Sequence, residues 1–585
     1  MRRAHWLKGN PMTKIPKWHI CVATTVWMPD DPDGCATLDR ACIRIGRWEA
    51  GRWHEDGCSI HSNTTDFWTA MVGHVTRCKR PWLWLLNPAQ DAPALRLTEM
   101  VRTGQLRRNW WVWGDPPTII SGKLYDKPIT IVGVSNWLDP RKAIPELDLP
   151  PAKGAHNAIN VSSPFDSPSY WQGARCAELV HRILAFVHRE DLGHLRSTAG
   201  GQSLQSYRHL HMGDHKILVD DNRAALALER SCATGFPVCC HAQGRHPGPV
   251  WCVDVNSLYP WVMHAYNYPR KRVYHGRCDG VDGLRRAMDR YVCIARVNGF
   301  DQGRKYLVKT NDGCGYYDVL NNDALCGPDL DSAVSRGVIS AVHEIACYDP
   351  APLFREWGKW AWELRQRYKQ LGDKVGELLA KSLSVSLWGK FAGQLGRWEP
   401  APDYIRPPVE YGRWAMTDAG GEPVEMRTIA GVSDQLCDDV EPAISCPAIS
   451  AFVACYARAF MQGIRALAGE QNVLYQCADA LHVNECGFRR LEKSGLIEPA
   501  AFGKLKAAGP HTDAYYHAPN IYRIGGKWTH AGRCVDARET APGVFEWDSP
   551  ARLGQSVLEP MTGKVRINRH GTSLQTAADV QDATR

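Results

Sequence analysis

Asp254-Val255-Asn256-Ser257-Leu258-Tyr259-Pro260 is the segment on which the reading of this chain turns. It sits in the run VWCVDVNSLYPWVM, where an apolar, strand-like stretch (Val250, Cys252, Val253) ends on a carboxylate and passes at once into a polar turn and an aromatic. A carboxylate presented at such a strand end reads as a metal-binding position. What decides its weight is whether partners follow downstream in the right order.

Two do. Lys381-Ser382-Leu383-Ser384-Val385-Ser386-Leu387-Trp388-Gly389-Lys390-Phe391 follows a stretch from Leu353 to Leu379 that is rich in Trp, Leu, Arg and Lys at helical spacing, and it reads as a helix. Val473-Leu474-Tyr475-Gln476-Cys477-Ala478-Asp479-Ala480-Leu481-His482-Val483 is a second strand-like run with a carboxylate in its middle. The first of the three segments resembles the DxxSLYP element, motif A, of family B DNA polymerases. The second resembles that family's KxxxNSxYGKF helix, motif B, with Val385 in place of Asn and Trp388 in place of Tyr. The third resembles the YxDTDS hairpin, motif C, with Cys477 in place of the first Asp and Asp479 retained. Pro447 to Arg458 is similar to the helix that these polymerases place before the hairpin. Asp191-Leu192-Gly193, Ser197-Thr198-Ala199-Gly200-Gly201-Gln202 and Leu228-Glu229-Arg230 resemble the approach to motif A in the phage and plasmid branch that starts synthesis on a protein primer. The resemblance runs from about Ile129 to Trp528.

The fold class it implies is α/β (α+β) and multidomain. A right-hand polymerase with palm, fingers and thumb follows an N-terminal, ribonuclease H-like exonuclease-type domain. The expected boundaries are 1–210 for the exonuclease-like domain, 211–350 for the palm with motif A and a priming-type insertion, and 351–395 for the fingers. The palm resumes over 396–500 with motif C, the thumb covers 501–549, and 550–585 is expected as a loosely ordered polar tail.

The function implied is template-directed DNA synthesis in replication of a phage or mobile element, primed by a protein, with primer-template DNA, dNTPs and a terminal protein as partners. Nucleotidyl transfer asks for two divalent cations, Mg²⁺ in the first instance. The resemblance assigns them to Asp254 and Asp479, helped by the Val255 carbonyl. Cys477 removes a third carboxylate, and a neutral thiol is a poor magnesium ligand, which points to lower affinity or a shift toward Mn²⁺. Ser257, Leu258 and Tyr259 would cradle the nucleotide, with Tyr259 crowding the 2′ position of the sugar. Arg365 and Lys381 would meet the triphosphate, and Val385 and Trp388 would line the nascent base pair. Ser386, Gly389, Lys390, Arg458, Tyr522 and Lys527 are the expected DNA contacts. Ala518-Pro519-Asn520-Ile521-Tyr522 resembles a primer-gripping KxY element with Asn520 in place of Lys.

The exonuclease motifs of the resembled family are a DxE strand, an NxxxD segment and a YxxxD helix. Ala23 and Thr25 occupy the carboxylate places of the first, Asn87-Pro88-Ala89-Gln90-Asp91 matches the second, and Gly173 and Ala177 stand where the third has Tyr and Asp. One Asp cannot hold paired cations, so no 3′–5′ exonuclease activity is expected and Asp91 reads as a helix-start or turn carboxylate after Pro88. The losses at Cys477, Val385, Asn520, Ala23, Thr25 and Ala177 keep a second reading open: a catalytically impaired, polymerase-derived protein that binds nucleic acid in replication.

Composition bounds these readings. A chain of 585 residues exceeds one core and suggests several subdomains. With 44% hydrophobic and 23% charged residues it has no apolar run long enough to span a membrane. MRRAHWLKGNPMTK has no apolar segment behind its basic residues, so no signal peptide is expected, and the implied location is the cytoplasm, the host's if a phage encodes the chain. A net charge of +8 suits a polyanionic partner. The 21 cysteines are scattered without a CxxC pair and read as reduced thiols. Thirteen of the 23 Trp fall in the first 171 residues and indicate a separate N-terminal core.

Overall fold

The computed structural model describes residues 4–27, 35–113, 118–147, 149, 168–235, 238–240, 242–303, 305–310, 313–393, 397–402, 405, 411–417, 420–429, 432–438, 444–518, 520–530, 538–541, 544–550 and 564–573. They form a multidomain α/β protein.

The N-terminal domain is built on a mixed sheet. Its strands are β1 (Trp18–Trp27), β2 (Cys35–Glu49), β3 (Trp82–Leu85), β4 (Leu106–Trp113), β5 (Thr118–Leu124) and β6 (Lys127–Gly133), in the order β2-β1-β3-β6-β5-β4. β1, β3 and β6 run parallel and the rest antiparallel. HICVATT in β1 is apolar or small at nearly every position because the strand is covered on both faces. One face packs under Phe67, Met71 and Trp111; the other under helix α1 (Pro168–Arg189), through Cys176, Val180 and Ile183.

The central domain is a five-stranded sheet that gathers remote segments. Its strands are β7 (Val238–Cys240), β8 (Val250–Val255), β9 (Val473–Cys477), β10 (Ala480–Asn484) and β11 (Leu505–His511), in the order β7-β9-β10-β8-β11. α2 (Leu258–Ala265) leaves the end of β8. Two helices form the finger-like hairpin, α3 (Arg355–Gln370) and α4 (Lys374–Phe391), and α5 (Pro447–Ala468) precedes β9. Asp373 caps α4 by accepting from Gly376 N, and the turn before it holds Gly372 at φ +69°, so the hairpin closes where the chain changes from one helical pattern to the next. Trp251, Val253, Val255, Leu258, Phe354, Leu387, Phe452 and Leu481 share one core, which binds sheet, hairpin and α5 into a unit.

Between α2 and α3 stands an antiparallel sheet in the order Tyr268–Gly276, Ile339–Ala351, Val292–Phe300, Val319–Cys326, in the region expected for the insertion. A further four-stranded sheet spans Arg397–Pro400 to Val432–Asp438, within the segment assigned above to the palm. It docks on the N-terminal domain through buried Asp434, which meets Arg108 at 2.6 Å, Arg427 at 2.9 Å and Trp111 Nε1 at 2.9 Å.

Two boundaries move. β11 lies inside 501–549, the expected thumb, yet it is an edge strand of the central sheet. The expected loose tail is also corrected where it is described: β12 (Val544–Pro550) pairs with β13 (Lys564–Ser573), and β13 pairs with β2 through Thr37↔Lys564 and Cys35↔Arg566. β2 would otherwise expose unpaired backbone groups at its end, and a distant strand satisfies them. The remaining tail residues lie outside the described residues. Among the described residues no helix is long and apolar enough to cross a membrane.

Candidate active site

β8 is central in its half of the sheet, with β10 on one side and β11 on the other. Asp254 stands opposite Ala480 on β10 and opposite Lys506 on β11. Asp479 lies in the two-residue turn between β9 and β10, after Ala478 at φ +48°. The Val255 N–H donates to the Asp479 carbonyl oxygen at 3.0 Å and latches this turn to the end of β8. Two carboxylates 225 positions apart in the sequence thus come to one sheet end. They sit close enough to interact: burial first, and then the Asp254 charge, push the Asp479 carboxyl up to about 6, with Lys506 opposing.

The turn after Asp254 is held from the far side. Asn256 is buried, and its Nδ2 donates to the Pro499 and Ala501 carbonyls, both at 3.0 Å, while its N–H donates to the Lys504 carbonyl at 2.8 Å. Ser257 then takes a left-handed conformation (φ +57°) and opens α2, whose first-turn N–H groups belong to Leu258 and Tyr259. The Tyr259 ring stacks on Trp388 with centroids 5.0 Å apart and planes at 24°. Burial, reinforced by the Asp479 charge, raises its phenol to about 12, so it stays neutral.

That stack brings one face of α4 to the site. Lys381, Val385 and Trp388 follow at i, i+4 and i+7 and share that face, while Leu379, Leu383 and Leu387 are buried behind it. Lys381 is exposed and has no ion pair among the described residues, and Val385 is 44% exposed. Arg365 on α3 is engaged instead with Glu377 of α4 at 3.5 Å. Ser386 donates to the Ser382 carbonyl within α4, Gly389 is exposed, and Lys390 is half-buried, which lowers its ammonium pKa.

One expected DNA contact is corrected. Arg458 is 4% exposed on α5; its guanidinium meets Asp329 at 3.0 Å and donates to the Ala233 and Gly235 carbonyls at 3.0 and 3.2 Å. A buried cation with three partners is a structural strut and offers nothing to a phosphate. Tyr522 packs beside the hairpin, its ring 5.1 Å from Tyr475 and 4.9 Å from His482, and Lys527 stands exposed after the Gly525-Gly526 turn. Asn520, in place of the KxY lysine, accepts from Cys477 Sγ at 3.4 Å and from the Tyr475 hydroxyl at 3.1 Å. Burial and the neighbouring Asp479 raise the Cys477 thiol, so it remains protonated.

No family model and no curated protein matches this chain. Solved structures do. Phi29 DNA polymerase complexed with primer-template DNA and incoming nucleotide substrates superposes with a TM-score of 0.65 at 13% identity, covering 96% of this chain and 100% of that one. The same polymerase complexed with single-stranded DNA gives a TM-score of 0.66 at 12% identity over the same shares. The chain has the fold of phi29 DNA polymerase. Across a phi29-type architecture of this length, one residue in eight is shared, so what this chain keeps and what it replaces must be judged from its own contacts.

In the phi29 fold's N-terminal domain the replaced residues are walled in. Ala23 is 1% exposed and Ala177 is 5% exposed. α1 lies so close to β2 that a Cβ on Gly173 would come within 2.3 Å of Cys42 Sγ. Asp91 is equally enclosed: it accepts from Thr24 N at 2.9 Å, Thr24 Oγ1 at 2.7 Å and Asn87 N at 2.8 Å, and burial raises its carboxyl to about 7. Thr25 points elsewhere and donates to Asp39 at 3.0 Å.

Reading the sequence alone missed two residues of the site. Asn256 was seen only as part of a motif, although its burial beside Asp254 makes it the clamp of the turn. Lys506 lies in the segment expected as thumb and stands in none of the motifs, yet its ammonium contacts the Asp254 carboxylate directly.

Proposed function

We propose that this chain is a template-directed DNA polymerase that adds nucleotides from dNTPs to a primer hydroxyl, primed by a protein and without 3′–5′ proofreading. The observation that carries this reading is the convergence of Asp254 and Asp479 on one sheet end beside the Tyr259–Trp388 stack, in a chain with the phi29 polymerase fold. Primer-template DNA and incoming nucleotides, named with those neighbours, are the partners proposed for this chain.

The donors fit a hard divalent cation. Among the described residues no group of three or more His, Cys, Asp or Glu could hold a metal, so the protein offers two carboxylates and the Val255 carbonyl. Magnesium is commonly held by one or two carboxylates with substrate phosphates completing its shell. The Lys506 ammonium on Asp254 supports a place that accepts positive charge. Bound there, Mg²⁺ or Mn²⁺ would activate the primer hydroxyl and neutralise the departing pyrophosphate.

The chain's own residues do the rest. N–H groups of the first turn of α2, freed by Ser257, are donors for a triphosphate. Lys381, without an ion pair among the described residues, supplies an ammonium from α4, whereas Arg365 must first leave Glu377. Trp388 fixes the Tyr259 ring against which the sugar would sit, and Val385 presents an apolar surface where an amide is usual. The burial of Ala23, Ala177 and Asp91 supports the absence of proofreading, since none of the three lines an open cleft.

A second reading, a nucleic-acid-binding protein without catalysis, draws on the neutral Cys477–Asn520 contact and on the pairing of Asp254 with Lys506. Extension of a primed template with dNTPs and Mg²⁺ or Mn²⁺, abolished in Asp254→Ala and Asp479→Ala, supports the polymerase. Absence of extension with either metal, from a nucleic-acid or a protein primer, leaves the second reading standing.

A further inference from the structure

The strand that carries Lys506 reaches Asp254 through an irregularity. β8 and β11 pair with Val250 opposite His511, but from Cys252 onward the register has moved by one, with Cys252 opposite Ala508 and Asp254 opposite Lys506. In an unbroken ladder Asp254 would face Ala507, and Lys506 would point to the other side of the sheet. The extra residue falls at Gly509-Pro510. Gly509 has φ +133°, and a Cβ on it would come within 2.7 Å of the Val250 carbonyl oxygen, so the shift depends on glycine.

Its result is a cation placed against the site's carboxylates. The Lys506 Nζ contacts Asp254 Oδ2, and its charge also acts on Asp479. The lysine is 53% exposed and Asp254 29%, so the ammonium approaches from solvent on a flexible stem and can withdraw the same way. The two carboxylates and the ammonium leave a net charge of −1 where a divalent cation would meet −2 without the lysine.

We infer that Lys506 is a resident counter-ion of the Asp254–Asp479 pair: it holds Asp254 while no metal is bound, competes with the divalent cation for that carboxylate, and thereby sets the metal affinity of the site. This rests on the metal-binding reading of the two carboxylates given above. Lys506 is a positioning residue that acts through Asp254.

The test is Mn²⁺ binding, followed calorimetrically and by the loss of the free-ion electron paramagnetic resonance signal, on the intact chain without DNA or nucleotide. Lys506→Met should bind Mn²⁺ roughly tenfold more tightly than the native chain, the size expected for removing one adjacent charge near the surface. Lys506→Arg, which keeps the charge, should bind as the native chain does, and Asp254→Asn should bind weakly with or without Lys506→Met. Equal or weaker binding by Lys506→Met overturns the inference and leaves the polymerase reading intact. Absence of Mn²⁺ binding in both the native chain and Lys506→Met overturns the inference and the metal site together. Tighter binding by Lys506→Met in a chain that extends no primer upholds the inference and sinks the polymerase reading.

Discussion

Cys477 Sγ donates to Asn520 Oδ1 at 3.4 Å, so two residues that each replace a charged one of the motif patterns are in contact with one another. An Asp at 477 alone would bring a carboxylate against an amide oxygen and beside Asp479. A Lys at 520 alone would bring an ammonium against a thiol and the Tyr475 hydroxyl. Both charges together would compensate.

Cys477→Asp is therefore expected to lower both thermal stability and primer extension, and Cys477→Asp with Asn520→Lys to recover part of each. A double-mutant cycle on unfolding free energy should show a favourable coupling of about 1–2 kcal/mol. Strict additivity would mean the two positions changed independently.

The Tyr259–Trp388 stack predicts how the sugar is selected. Tyr259→Ala removes the ring that would crowd a 2′ hydroxyl and should raise ribonucleotide over deoxynucleotide incorporation by about tenfold or more. Trp388→Ala should mainly raise KM for dNTPs, because it removes the stack but leaves Tyr259 in place. Single-nucleotide incorporation kinetics with dNTP and rNTP pairs separate the two effects.

Ala177→Asp is expected to destabilise the protein by about 2–4 kcal/mol without creating nuclease activity, because it places a carboxylate in a packed interior. Asp91→Ala should cost a similar amount by leaving the Thr24 and Asn87 donors unpaired. Denaturant unfolding and a labelled single strand give the two readouts. Shortening of that strand by the native chain would refute the absence of proofreading.

Glu229 gives stability a pH dependence. It is buried, accepts from the Tyr348 hydroxyl at 2.7 Å and Ala448 N at 3.1 Å, and burial raises its carboxyl from 4.5 to about 7. Between those values the folded chain keeps a proton that the unfolded chain has released, so stability is fullest below about 4.5 and falls as pH rises toward 7, by about 3 kcal/mol for this group. Asp91, raised in the same sense, adds to the fall. Glu229→Gln should be less stable than the native chain at pH 5, and the gap should shrink by pH 8.5. A constant gap across that range would contradict the burial argument.

Much of the site could be read before folding because its parts are local. A strand ending on Asp254, the α4 pattern and the hairpin bearing Asp479 are each encoded within about a dozen residues, and their order brings them together. What escaped depends on register and on remote contact. Lys506 faces Asp254 only through a one-residue shift at Gly509, which no periodicity in the segment announces. Arg458 looks like any helical cation until Asp329, which lies on another element, is seen to bury it. The 397–438 sheet is anchored by Asp434 against Arg108, a pairing across most of the chain.

The pairing of β13 with β2 has a consequence for how the molecule is made. The strand Arg52–His61 covers Ala41–Glu49 of β2 as soon as it is made, but the Cys35–Thr37 end of β2 waits for residues near 564, so that corner of the N-terminal domain is completed last although its strands come first. Its last step is a closing of the chain on itself, and a nascent chain halted before residue 564 would carry this short strand end unpaired.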